Sequence, residues 1–219
     1  MRYSHILFDL DGTITEPFEG ITKALQYSLS KFGIEIFDRN ELRICIGPPL
    51  YDSFRDFYGL SKEDADRAVK YYREYYDPIG VYDCGVYDGI EEMLKKLSES
   101  PCKVIVATSK PEKMARVVLE YFGLDKYFDH ICGASLDESR SKKADVISYA
   151  LETAGVSDKR SCIMIGDRKF DIEGASENGL DAIGVTFGYG NRTELKKAGA
   201  LLIFDDAFSL CDHLLENIF

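Results

Sequence analysis

Two aspartates, Asp9 and Asp11, stand two positions apart in "FDLDGTIT", at the end of an apolar run. Burying even one carboxylate there is costly unless something pairs with it. Three further segments place chemistry-capable groups at the ends of other apolar runs: Thr108 and Ser109 after "VIVA", the lysine pair Lys142 and Lys143 shortly after "GAS", and Asp167 and Asp171 in "GDRKFD". If these strands lie side by side, the groups converge on one crevice. Carboxylates gathered this way repel one another, and each is driven towards its protonated form unless a cation is shared. Magnesium suits such a set, because it takes oxygen ligands, keeps several waters, and needs only one or two carboxylates beside a substrate phosphate.

The elements that must position these groups follow from hydrophobic periodicity. Residues 3–9 read as a strand apolar on both faces, with Ile6, Leu7 and Phe8 continuous. From Asp88 onward helix and strand patterns alternate: a helix through Ile90, Met93, Leu94 and Leu97, the strand "KVIVAT", a helix from Pro111 to Phe122, and the strand "HICGAS". A helix over 141–154, the strand "SCIMIG", a helix through Ala175 and the strand "DAIGVTF" continue the series, and "ALLIF" and 206–217 close it. This alternation implies an α/β fold, a doubly wound parallel sheet whose ligands bind beyond the carboxyl ends of the strands. Between the first strand and the next unit, residues 16–82 read as helical, with Ile21, Leu25, Leu29 and Phe32 about one turn apart. The predicted organisation is a core of 1–15 and 83–219 with a small inserted all-helical domain of 16–82.

Composition narrows the partners. A net charge of −11 argues against nucleic acid or an anionic membrane, both of which call for a basic surface. An anionic substrate would need positive charge supplied locally. The six cysteines are scattered without metal-ligand spacing and read as small core residues. With no signal-like or spanning apolar segment, the expected location is cytoplasmic. The three histidines are isolated and receive no role. Tyr71, Tyr72, Tyr75 and Tyr76 recur at helical spacing and read as packing residues, and "GYGNRT" reads as a tight turn.

Taken in order, "DLDGT", a Thr ending a strand, a helix-borne Lys and "GDRxxD", with a helical insert after the first motif, resemble the haloacid dehalogenase superfamily. In detail the chain is similar to its phosphoglycolate phosphatase-like branch with a helical cap, through "IGPPL", "ATSKP", "GVTFGYG" and "LKKAGA". The resemblance implies that Asp9 is a nucleophile forming an aspartyl-phosphate and that Asp11 gives a proton to the leaving oxygen and later takes one from water. It implies Mg2+ held by Asp9, the Asp11 backbone carbonyl and Asp167, with Asp171 holding metal-bound water or the lysine. Gly12 makes the turn that brings both aspartates to one site. Thr108 and the Ser109 amide would bind phosphoryl oxygens, aided by the helix beginning at Pro111. Lys143 would neutralise phosphate and Asp9; it is favoured over Lys142 because "KADVI" aligns better with the family's "KPxP"-like continuation, whose prolines are absent here. Arg43, in "RICIG", would touch the leaving group and pair with a second anionic group of the substrate.

The implied activity is a phosphatase acting on a small phosphorylated metabolite, with phosphoglycolate and nucleoside monophosphates as named candidates, in a monomer or homodimer. The alternatives are a sugar phosphomutase on the same scaffold, whose family members tend to carry Val where this chain has Thr13, and a non-enzymatic phospho-accepting receiver domain. Such a receiver would be shorter and lack the insert.

Overall fold

The computed structural model describes residues 3–136 and 139–218. Contacts divide the chain into two compact units, residues 1–16 with 86–219, and residues 17–85. In the first unit six strands form one parallel sheet: β1 His5–Phe8, β4 Lys103–Pro111, β5 His130–Ala134, β6 Cys162–Gly166, β7 Asp181–Val185 and β8 Leu202–Phe204, in the spatial order β5-β4-β1-β6-β7-β8. Two short strands, β2 Thr15–Glu16 and β3 Gly85–Val86, lie where the chain passes between the units.

Strand alternation explains why the sheet is covered twice. Ile6, Phe8, Val104, Val106, Ile163, Ile165, Ile183 and Val185 point to one face, where they pack with Leu94, Leu97, Ala115, Leu119, Leu210 and Leu214. Those partners come from α4 Ile90–Ser98, α5 Glu112–Tyr121 and α9 Ala207–Glu216. The intervening residues Leu7, Ile105, Ala107, Cys162, Met164 and Ala182 pack on the other face against α6 Lys143–Thr153, α7 Lys169–Glu177 and α8 Arg192–Ala198. Each large side chain wholly removed from water contributes about 1.5–3 kcal/mol, so both faces are needed to hold β1 and β6 in the middle. All six cysteines are free thiols, five of them buried, in keeping with packing roles.

The second unit is helical: α1 Phe18–Ser30, α2 Leu50–Asp56 and α3 Lys62–Tyr76, with 3-10 turns at Arg39–Cys45 and Gly80–Tyr82. The apolar stripe of α1, Ala24, Leu25 and Leu29, and that of α3, Ala65, Ala68, Val69 and Tyr72, are buried, and the Ser28 hydroxyl donates to the Ala68 carbonyl at 2.7 Å. Ser61 caps α3 by accepting from the Asp64 amide. Tyr72 stacks on Tyr76 with ring centroids 5.1 Å apart, while Tyr75 and Tyr71 lie against Tyr27 and Phe32, so the tyrosine run packs within this unit.

One element is finer than the sequence reading, and one boundary differs from it. Within the segment read as helical, "RNELRIC" forms a 3-10 helix, and Gly47, with φ of 107°, and the Pro48–Pro49 pair stop it from extending. Strand β4 runs on to Pro111 instead of stopping at Thr108, and α5 begins at Glu112. Between Thr108 and Pro111 the pairing slips: β4 advances three residues while β5 advances only from Gly133 to Ala134. Ser109 and Lys110 therefore form a bulge.

Candidate active site

Beyond the carboxyl ends of β1 and β6, the parallel pairing of Phe8 with Ile165 sets the segments that follow, Asp9 and Gly166–Asp167, side by side. The Asp9 amide donates to the Ile165 carbonyl at 2.9 Å, fixing the strand exit. Helix α6 brings Lys143 in from the covered face and α7 brings Asp171 from its first turn. One carboxylate oxygen each from Asp9, Asp167 and Asp171 lies within 4.8 Å of the others, and all three residues are buried, at 4%, 0% and 0% exposure.

Lys143 is the cation inside this cluster. Its Nζ is 2.7 Å from Asp9 Oδ1 and 2.8 Å from Asp171 Oδ1, and it donates to the Ala107 carbonyl at 3.1 Å. Neither of those carboxylate oxygens has a well-aligned hydrogen bond, so their attraction to Lys143 is chiefly ionic. Burial opposes the lysine's charge, but Asp171 and Asp9 outweigh it and keep it protonated. Lys142 is exposed and precedes the helix, which leaves Lys143 as the lysine among the carboxylates.

One lysine does not neutralise three acids. Burial, with Asp171 and Asp9 nearby, raises Asp167 above the ordinary aspartate value of 3.8. Burial likewise raises Asp171, against the pull of Lys143. A donor set of buried oxygens short of one or two positive charges is what a hard divalent ion satisfies, so the residues fit Mg2+.

The loop after β1 is shaped around Asp167. Gly12 has φ of 93°, a region that suits glycine, and a Cβ there would stand 2.4 Å from Asp167 Oδ2. The Thr13 hydroxyl donates to Asp167 Oδ1 at 3.3 Å, and the Tyr189 amide donates to Oδ2 at 2.7 Å. Gly188 and Gly190 let the backbone around Tyr189 pass close enough for that bond: a Cβ at Gly190 would fall 1.9 Å from the Asp167 carbonyl oxygen. The Tyr189 hydroxyl in turn donates to Glu16 Oε1 at 2.6 Å, and burial together with that carboxylate keeps the phenol protonated. Asp171 has two partners, since it also accepts from the Arg168 amide at 2.9 Å, half of a capping box at the start of α7.

Thr108 and Ser109 sit at the bulge of β4. Thr108 is buried and its hydroxyl oxygen accepts from the Lys110 amide at 3.2 Å; it does not cap α5, whose N-cap position is Pro111. Asp11 stands apart from the three-carboxylate cluster. Its two oxygens accept from Lys110 Nζ at 3.0 and 2.9 Å, and Thr15 reaches Oδ1 at 3.5 Å. Arg43 lies in the helical unit, exposed, with its guanidinium carbon 5.4 Å from the centre of the Phe18 ring. The structure thus gathers Asp9, Lys143, Asp167 and Asp171, sets Gly12 against Asp167, places Asp11 on Lys110, and leaves Arg43 on the second unit.

Lys110, Tyr189 and Glu16 were not singled out by sequence. The signals available were the "SKP" following Thr108 and the glycines flanking Tyr189 in "GYG", which had read as a turn.

A family model described as haloacid dehalogenase-like hydrolase matches residues 6–185. A 5'-nucleotidase from Pseudomonas aeruginosa is 43% identical over 196 residues, 90% of this chain and 88% of its own. A protein named tyrosine-protein kinase PtkA from Mycobacterium tuberculosis is 34% identical, over 90% of this chain and 67% of its own. The crystal structure of a predicted phosphatase from Clostridium acetobutylicum superposes with a TM-score of 0.96 at 45% identity, covering 99% of this chain and 100% of that one.

Proposed function

Because the chain belongs to the haloacid dehalogenase-like hydrolase family, we propose that it is a magnesium-dependent phosphatase that hydrolyses a small phosphate monoester through an aspartyl-phosphate on Asp9. The observation that carries this reading is the position of Asp9: a buried carboxylate 2.7 Å from the Lys143 ammonium, with Asp167 and Asp171 close enough to share one ion. The 43% identity to a 5'-nucleotidase favours nucleoside monophosphates among the candidate substrates, with phosphoglycolate as the second.

In the first step an Asp9 oxygen bonds to phosphorus as the bond from phosphorus to the ester oxygen breaks, and that oxygen takes a proton from Asp11. Lys143 offsets the repulsion between the attacking carboxylate and the anionic ester. Thr108 and the Ser109 amide orient the phosphoryl oxygens. In the second step a water oxygen bonds to phosphorus, the Asp9–phosphorus bond breaks, and Asp11 receives the proton of that water. Asp9, Asp167 and Asp171 are the residues to hold Mg2+, with Thr13 and Tyr189 keeping Asp167 aimed. Bound there, the ion supplies charge that draws phosphate towards Asp9. Most of this catalysis is positioning and charge compensation.

Phosphate release from a panel of nucleoside monophosphates, phosphoglycolate and hexose phosphates, with and without Mg2+, tests the reading. Asp9→Asn should reduce release to background while the melting curve keeps its cooperative shape; full activity in that variant would refute the aspartyl-phosphate route. An isomerised sugar phosphate, or phosphate transferred to a protein tyrosine as the mycobacterial relative's name would have it, in place of released phosphate would displace the reading.

A further inference from the structure

Lysine is among the residues least often fully buried, yet Lys110 is only 8% exposed, and nothing in the mechanism above uses it. Its place is set by the bulge of β4. In a regular strand Ser109 and Lys110 would continue the ladder with β5; here both are extra to the pairing, and the slip re-aims the lysine. Its backbone amide binds the Thr108 hydroxyl oxygen while its Nζ spans both oxygens of Asp11, ninety-nine residues away in sequence. Both side chains of that ion pair are largely withdrawn from water, at 4% and 13% exposure, where a charge contact holds its geometry far better than at the surface. One residue therefore ties the phosphate-binding threonine to the group that must deliver the leaving-group proton.

We infer that Lys110 is a positioning residue: it acts through Asp11, fixing that side chain relative to Thr108 as the carboxylate that takes the proton of the attacking water in one turnover and, carrying it, gives it to the leaving oxygen in the next. This rests on the phosphatase reading and on Asp11 as its acid. The chemistry predicts a particular signature. kcat/KM counts only the steps up to departure of the leaving group. An alkoxide leaves poorly without a proton, whereas p-nitrophenolate leaves readily without one. Loss of a positioned acid costs on the order of 100-fold or more, and that cost should fall on the alkyl ester.

The experiment measures kcat/KM for an alkyl phosphate and for p-nitrophenyl phosphate in the full chain with Mg2+, comparing wild type, Lys110→Met, Lys110→Arg, Asp11→Asn and the double variant Lys110→Met/Asp11→Asn. Thermal melts run alongside. Lys110→Met should lower the alkyl-to-aryl ratio by about 100-fold, as should Asp11→Asn, and the double variant should be no worse than Asp11→Asn alone, since coupled residues fail to add. Lys110→Arg, which can still fork onto a carboxylate, should recover much of the ratio. Equal losses on both esters, or a further full loss in the double variant, would overturn the proposal in favour of scaffolding or of a direct substrate contact. Wild-type chain inactive on both esters would instead bring down the phosphatase reading itself, and this inference with it.

Discussion

Replacing Lys143 by Met keeps the length and apolar stem of the side chain and removes one charge from among three buried carboxylates. The lysine is 6% exposed and touches Asp9 at 2.7 Å and Asp171 at 2.8 Å, so its loss leaves both oxygens facing no cation. Breaking a buried pair in this way costs about 3–5 kcal/mol. In a domain of this size each kcal/mol moves the melting temperature by about 2–4 °C, which gives a drop of roughly 6–20 °C. The drop should depend on pH. Burial raises Asp167 and Asp171 above 3.8, so the folded chain binds more protons than the unfolded one over the interval between the two values. The stability these groups contribute is complete below about 4 and is lost as pH rises through their folded values. Without Lys143 the folded value of Asp171 moves higher still, so metal-free Lys143→Met should fall further below wild type at about pH 8 than at about pH 5. Thermal melts in chelator at both pH values provide the measurement. A loss equal at the two pH values, or none at either, would show that Lys143 is not compensating buried negative charge.

Two other outcomes follow from the same geometry. Since metal binding must displace the protons that burial keeps on Asp167 and Asp171, the apparent Mg2+ affinity, read from the shift in melting temperature during a titration, should rise steadily with pH between about 5 and 8; an affinity flat across that range would contradict the ligand set. Gly12→Ala places a methyl group 2.4 Å from Asp167 Oδ2 on a backbone with positive φ, so it should cost about 1–3 kcal/mol by denaturant unfolding and weaken Mg2+ binding, whereas unchanged metal binding would show that Asp167 need not be held there.

The parts of the site that sequence exposed are those written in local pattern. Apolar runs ending in Asp9, Thr108 and Asp167 announced both the strands and the edge of the sheet where these polar groups gather, because ligands of a parallel sheet bind beyond the carboxyl ends of its strands. Lys143 was legible as a lysine at the start of a helix. Lys110 was not: a lysine after a strand is ordinarily solvated, and only the two-residue slip against β5, which has no composition of its own, turns it inward. Tyr189 was hidden for another reason. Its amide and hydroxyl serve Asp167 and Glu16, far along the chain, while its neighbours Gly188 and Gly190 carry the ordinary signature of a turn.

The central place of β1 between β4 and β6 also governs when function can arise. As the chain is synthesised, β1 can bond to neither flank until residues 103–106 and then 162–165 have emerged to pair with it. Asp9 consequently waits until Asp167 and Asp171 have been made before it meets the acids gathered around it. A ribosome-bound fragment ending short of residue 162 would lack the cluster of Asp9, Asp167 and Asp171, and on refolding from denaturant its assembly cannot outrun this late, long-range closure.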